Sequence, residues 1–247
     1  MLLPALPEDV ELALVDLRRF ETDGEGLQTG VAKFIVTNRG KRALPFPHFG
    51  VEWTDDRGAV YAGTRQDVAW KTLLPNIGYV VSYAFALPAS EQGEQASIGI
   101  LEPADEAAGP ALPTALLRTK LSADDGAVDR MYPFAFVAKS SSLDGRETET
   151  GYAYRLTFDA SLSREKDAIV DRNSSGLLFE LADATGRVYG TKRLGFSGVD
   201  RLRGGEQVVA FDGAPEEARS DMAVLMYEVF RTSDGGEAKR LVHTFEE

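Results

Sequence analysis

Val51-Glu52-Trp53-Thr54-Asp55-Asp56-Arg57-Gly58-Ala59-Val60-Tyr61 and Phe179-Glu180-Leu181-Ala182-Asp183-Ala184-Thr185-Gly186-Arg187-Val188-Tyr189 follow one plan. In each, an apolar run leads into Asp-x-x-Gly and a second run leaves it. The aspartate provides a local hydrogen bond and the glycine a positive φ, which is the chemistry of a tight turn between adjacent strands. The reading is a β-hairpin in each place: Gly50 to Thr54 with Ala59 to Gly63, and Leu177 to Ala182 with Arg187 to Thr191.

The likeness extends outward from these turns. At an offset of 128, Val51 to Tyr83 falls on Phe179 to Phe211 with nine of 33 positions identical, among them Arg65 with Arg193, Leu74 with Leu202 and Val80-Val81 with Val208-Val209. Unrelated positions agree at roughly one in sixteen under ordinary residue usage. Upstream the offset becomes 121, placing Asp23-Gly24 on Asp144-Gly145, Thr29-Gly30 on Thr150-Gly151 and Ala32 on Ala153. The difference is absorbed by one loop, between Asn38 and Val51 in the first copy and between Asp159 and Phe179 in the second. Self-similarity in chain order, with gaps confined to turn-like segments, predicts a duplicated domain.

Both copies read as strands. Tyr152, Tyr154, Leu156 and Phe158 alternate with Ala153, Arg155, Thr157 and Asp159, and Tyr79, Val81, Tyr83, Phe85 and Leu87 alternate with smaller residues. This period of two marks strands with one buried face. Pro215 to Phe230 could open a helix, but its partner Pro88 to Leu101 contains Gly93, Gly99 and a Ser-Ile-Gly-Ile-Leu core, so Ala223 to Phe230 is read as a strand followed by Arg240 to Phe245. Long helical patterns are absent. The fold class expected is all-β: two tandem antiparallel immunoglobulin-like β-sandwiches, copy one over 8–122, an acidic linker over 123–130 and copy two over 131–247. Each copy has the size of a sandwich of about seven strands.

A strand ending in Thr37-Asn38-Arg39-Gly40, an Asp-x-x-Gly-x-x-Tyr hairpin, a Leu-x-Pro-Gly-like turn and a strand ending in Phe-x-x-Pro together resemble the telokin-like, immunoglobulin-like domains of Gram-positive surface proteins and lipoproteins. Copy two departs from this pattern with Phe158-Asp159-Ala160-Ser161 but keeps the hairpin and the Leu202-x-Gly204-Gly205-Glu206 turn. The resemblance implies an exported β-sandwich protein and brings no catalytic residues with it.

Composition excludes several functions. The chain has 247 residues with 27 Lys and Arg against 39 Asp and Glu, a net charge of −12, which disfavours nucleic-acid and anionic membrane surfaces. Without cysteine there are no disulfides, thiolate metal sites or thiol nucleophiles. No apolar run approaches the ~18 residues of a membrane span, so membrane insertion of this segment is not expected. The opening Met-Leu-Leu-Pro-Ala-Leu-Pro is too short for a signal peptide, and the expectation is a leader removed from an extracellular or cell-envelope protein.

Chemistry-bearing residues are few. Ser163-Arg164-Glu165-Lys166 matches Ser-x-x-Lys but sits in a polar loop of a β domain, without Ser-Asp-Asn or Lys-Thr-Gly downstream, so no catalytic residues are assigned. His48 and His243 occupy non-equivalent positions. Calcium is the one cofactor considered, with Asp124, Asp125 and Asp129 of the linker as oxygen ligands. The repeat also separates core aromatics from others. Trp53 aligns with Leu181 and Tyr83 with Phe211, so both are core; Trp70 aligns with Gly198 and Tyr79 with Gln207, where the core requires no aromatic. With Phe46, His48 and Phe49, Trp70 and Tyr79 are the candidate ligand-binding surface. The function expected is a non-enzymatic interaction, adhesion or spacer protein with a protein or cell-wall glycan partner. The alternative is a carbohydrate- or cell-wall-binding accessory region of a larger enzyme.

Overall fold

The computed structural model describes residues 6–22, 26–102, 113–123, 126, 128–149, 151–165, 168–170, 175–214, 222–232 and 235–246. These residues form strands and turns and no helix, and the pairing between strands is mainly antiparallel, with a two-residue parallel contact and the isolated parallel bridges Asn38-Pro75 and Gly195-Arg201 beside it. The chain divides into two units, each assembled from more than one stretch. One comprises Met1–Ala123, Lys166–Ser174 and Arg231–Ala238; the other comprises Asp124–Glu165, Ser175–Phe230 and Lys239–Glu247.

In the first unit, β1 (Val10–Thr22), β2 (Leu27–Asn38), β3 (Leu44–Pro45), β4 (Gly50–Thr54), β5 (Val60–Ala62), β6 (Thr64–Arg65), β7 (Thr72–Leu73), β8 (Gly78–Pro88), β9 (Gln95–Leu101) and β10 (Pro113–Lys120) follow in order. One sheet runs β1-β2-β8, with β6 also on β8; another runs β10-β9-β4-β5; β3 and β7 form a separate ribbon. Alternation places Ala32, Phe34 and Val36 of β2 and Val81, Tyr83 and Phe85 of β8 in one core with Val51, Trp53, Ile98 and Ile100 of the other sheet. A bulge between Leu14 and Asp16 shifts β1 by one residue, so Leu12 and Leu17 both reach that core despite their odd spacing. Tyr83 anchors the loop before β4 by donating its hydroxyl to the Phe49 carbonyl at 2.6 Å. Burial pushes the Tyr83 hydroxyl's pKa up, with Arg65 pulling weakly the other way.

Asn38 ends β2 and is fully buried. Its amide donates to the carbonyls of Arg42 (2.7 Å) and Leu73 (3.1 Å), and its side-chain oxygen accepts the Gly40 N–H (2.9 Å). One side chain thus satisfies three backbone groups where the strand turns, which is what the Thr-Asn-x-Gly stretch does physically.

In the second unit, β11 (Asp129–Met131), β12 (Phe134–Thr148), β13 (Gly151–Arg164), β15 (Gly176–Asp183), β16 (Val188–Leu194), β17 (Gly205–Ala214), and all but the adjoining ends of β18 (Met222–Arg231) and β19 (Glu237–Glu246) are joined in the orders β11-β12-β13-β17 and β19-β18-β15-β16. Strand β14 (Ala168–Ile169) belongs to the first unit, where it pairs in parallel with Gly78 and Tyr79 of β8. Asp129 and Arg130, read above as linker, are strand residues facing Phe136 and Ala135. Phe136, Leu156, Phe158, Val209 and Phe211 share a core with Phe179, Leu181, Val224, Met226 and Phe245.

Strand register disagrees with the upstream offset expected for the repeat. Tyr83 faces Ala32, whereas Phe211 faces Tyr154; Val81 faces Phe34, whereas Val209 faces Leu156. With Tyr83 matched to Phe211, the partner of Ala32 is Tyr154, and the offset is 122 rather than 121. A one-residue slip moves every side chain to the opposite face, so the matches of Ala32 with Ala153 and of Asp23-Gly24 with Asp144-Gly145 are coincidences of composition. Asp144 lies within β12, paired with Arg155, and Asp23 and Gly24 lie outside the described residues.

The two Asp-x-x-Gly hairpins are built alike. Gly58 (φ 84°) and Gly186 (φ 82°) are both left-handed and donate back to the carbonyls of Asp55 and Asp183. Asp55 Oδ1 accepts the N–H of Arg57 (2.9 Å) and Ala59 (2.8 Å), and Asp183 Oδ1 accepts those of Thr185 (2.8 Å) and Arg187 (3.1 Å). The hydroxyls of Tyr61 and Tyr189 donate to the second oxygens at 3.3 and 2.7 Å. For Asp55, desolvation raises the pKa but is outweighed by the N–H groups of Ala59 and Arg57 and by Tyr61, leaving it below the ordinary value. For Asp183, the hydroxyls of Thr185 and then Tyr189 lead, over some opposing desolvation, and hold the carboxyl at about 2. A depressed carboxyl contributes stability that is present above its unfolded pKa and is lost as pH falls through the folded one. Asp183→Asn is therefore expected to be less stable than the parent at neutral pH, with the gap closing as pH falls from the ordinary 3.8 toward about 2. Denaturant melts of both proteins across that range measure it; a gap that does not change with pH would contradict the assignment.

Candidate functional site

The β3-β7 ribbon brings two loops of the first unit together. Leu44 pairs with Leu73, Pro45 with Thr72, and the Phe46 N–H donates to the Lys71 carbonyl at 3.0 Å. Between them opens a cleft of about 620 Å³ whose lining includes Phe46, His48, Arg65, Asp67, Trp70 and Lys71. Pairing of β6 with β8 places Arg65 opposite Tyr83. The Arg65 guanidinium lies over the Phe46 ring at 4.8 Å and donates to the Pro47 carbonyl at 3.2 Å, fixing its orientation through stacking and a hydrogen bond together. Trp70 is half-buried, its ring edge-on to Tyr79 at 5.3 Å, and the Tyr79 hydroxyl accepts the Leu74 N–H at 3.3 Å.

Of the five residues singled out in the sequence, Phe46, His48 and Trp70 line this cleft. Tyr79 is buried and supports Trp70 and Phe46 from the core side. Phe49 is a core residue packed on Phe34 and Tyr83, so it offers no ligand surface. Arg65 and Lys71 were missed. Arg65 matched Arg193 and so carried no signal specific to one copy, and Lys71 is near Trp70 in sequence but has no pattern of its own.

A second cleft of about 580 Å³, at the other hairpin of this unit, is lined by Asp55, Asp56, Glu94 and Arg118 among others. Asp55, Asp56 and Glu91 bring carboxylate oxygens within 4.8 Å of one another. Protein groups already occupy two of the three. Asp55 holds the turn described above, and Glu91 is paired with Arg19 at 2.9 Å and accepts the Gly93 N–H at 3.0 Å. For the calcium candidates, Asp129 Oδ2 lies 2.9 Å from His243 Nδ1, and Asp124 and Asp125 lie outside the described residues. Ser163 is within β13 opposite Ala135, and Lys166 is outside the described residues.

No family model matches the chain, and no curated protein matches it. Among solved structures, it is similar to a DUF4785 family protein from Legionella pneumophila, at 11% identity and a TM-score of 0.27 over 96% of this chain and 56% of that one. It is also similar to a β-glucuronidase from Ruminococcus gnavus, at 13% identity and a TM-score of 0.21 over 98% of this chain and 45% of that one. The chain thus spans about half the length of the structures it matches. Neither likeness assigns an activity.

Proposed function

We propose that the protein is a non-catalytic interaction module of the cell exterior or envelope, built from two duplicated immunoglobulin-like sandwiches, and that the Trp70 cleft of the first is its docking surface. The observation that carries this reading is the asymmetry of the two copies. Their hairpins are built alike, yet the first has Trp70 in an open cleft, backed by Tyr79, where the repeat places Gly198 and Gln207 in the other. A structural repeat retains what folding needs, so a group found in one copy only is free to serve binding.

Cell-wall glycan is the ligand class that fits this surface. A partly exposed indole offers an apolar face to the C–H face of a sugar ring, and the polar rim offers donors to its hydroxyls. The protein is expected to bind insoluble peptidoglycan or polysaccharide in a pull-down, with Trp70→Ala weakening retention about tenfold, the worth of one stacked aromatic. Thermal melts of the variant distinguish lost binding from lost folding. Retention unchanged in a folded Trp70→Ala protein would remove the cleft from consideration.

A further inference from the structure

Resting on that reading, we infer that the Trp70 cleft selects an anionic glycan, with Arg65 and Lys71 receiving a carboxylate or phosphate on the sugar. The protein as a whole is acidic, with 39 Asp and Glu against 27 Lys and Arg. The cleft inverts that balance: among the described residues that line it, Asp67 is the single carboxylate, against Arg65 and Lys71. Arg65 is also oriented. Its guanidinium lies over the Phe46 ring at 4.8 Å, and the Pro47 carbonyl takes a hydrogen bond from Nη1. Five donors in a planar fork leave the rest of the group to meet a planar or tetrahedral anion bidentately. Lys71 is exposed and sits beside Trp70, so a charged sugar stacked on the indole has a second cation within its own span.

The fork recognises carboxylate and phosphate alike, and three polymers separate these sources: polygalacturonate, its carboxyl-reduced form, and a phosphomannan. Affinity electrophoresis of the full chain through gels carrying each polymer reads the dissociation constant. The overall charge of −12 works against adsorption to any polyanion, so retardation reports the cleft and not bulk attraction. The expected result is retardation by at least one charged polymer, about tenfold weaker in Arg65→Gln and in Lys71→Glu and weakened by added salt, with the reduced polymer bound at least about tenfold less well than polygalacturonate where carboxylate is the anion. Whether polygalacturonate or phosphomannan is retained identifies the anion. Lys71→Glu changes an exposed side chain and keeps the test interpretable if Arg65→Gln loosens the Phe46 loop. Trp70-dependent retardation that is equal for polygalacturonate and its reduced form, and unaffected by Lys71→Glu, would overturn the anion assignment while leaving glycan binding intact. Absence of retardation by all three polymers would overturn the anion assignment, and the peptidoglycan pull-down then decides separately whether glycan binding stands.

Discussion

Phe158→Ala is expected to destabilise the second unit by about 3–5 kcal/mol, the range for emptying an aromatic site in a packed core. Phe158 sits on β13 with 1% of its surface exposed, and its ring contacts those of Phe136 (6.2 Å), Phe179 (6.3 Å) and Phe245 (5.2 Å). Removing it leaves three aromatic rings facing a void that β12, β15 and β19 cannot all close, because each strand is held in register by its own ladder. Phe158→Leu retains most of the volume and is expected to cost under about 1.5 kcal/mol. Urea denaturation followed by circular dichroism measures both. Near-equal midpoints for the parent and Phe158→Ala would mean that these rings do not form one core.

Asn38→Ala is expected to cost about 3 kcal/mol, and Asn38→Asp more, although aspartate is closer in shape. Alanine leaves the carbonyls of Arg42 and Leu73 and the N–H of Gly40 without their partner at a fully buried position, each such group costing about 1–3 kcal/mol if it stays unpaired. Aspartate keeps the acceptor for Gly40 but turns a carboxylate oxygen toward two carbonyls that need a donor, and it buries a charge. Lowering the pH should therefore recover part of the Asp variant's stability and none of the Ala variant's. Thermal melts at neutral and acidic pH read the order. A less damaging Asp than Ala at neutral pH would mean that the amide does not donate to these carbonyls.

Much of the architecture was legible because it is local. Asp55 and Asp183 close their hairpins with hydrogen bonds to residues two and four positions on, Gly58 and Gly186 supply the left-handed closure, and alternation marks which face of β8 and β13 is apolar. The upstream register was not legible in the same way. Ala32 with Ala153 and Thr29-Gly30 with Thr150-Gly151 are persuasive identities, yet they place Phe34, wholly buried, on Arg155, which is exposed. Burial favours offset 122 over the identities at offset 121 there. It also shows why Asn38 has no equivalent, since its place at offset 122 is taken by Ala160.

The cleft was half legible. Non-equivalence between the copies singled out Trp70, but nothing in the spacing of Phe46, His48 and Phe49 tells which ring faces inward, and one of them, Phe49, is core. Arg65 joins the site only because β6 pairs with β8 and because the β3-β7 ribbon brings its two loops together.

The amino-acid sequence by itself determined that this chain is all-β and where its hairpins turn, because turn chemistry and strand alternation act over a few neighbouring residues. Tertiary structure alone decided register, the composition of each unit and the content of the cleft. It also buried Asp16, Arg18 and Lys33, with Arg18 Nε 2.9 Å and Lys33 Nζ 3.8 Å from the Asp16 carboxylate. Charges leave water in this way only when opposite charge is set beside them, and the pairing that brings Asp16 and Lys33 together joins residues from two strands whose register neither strand specifies alone.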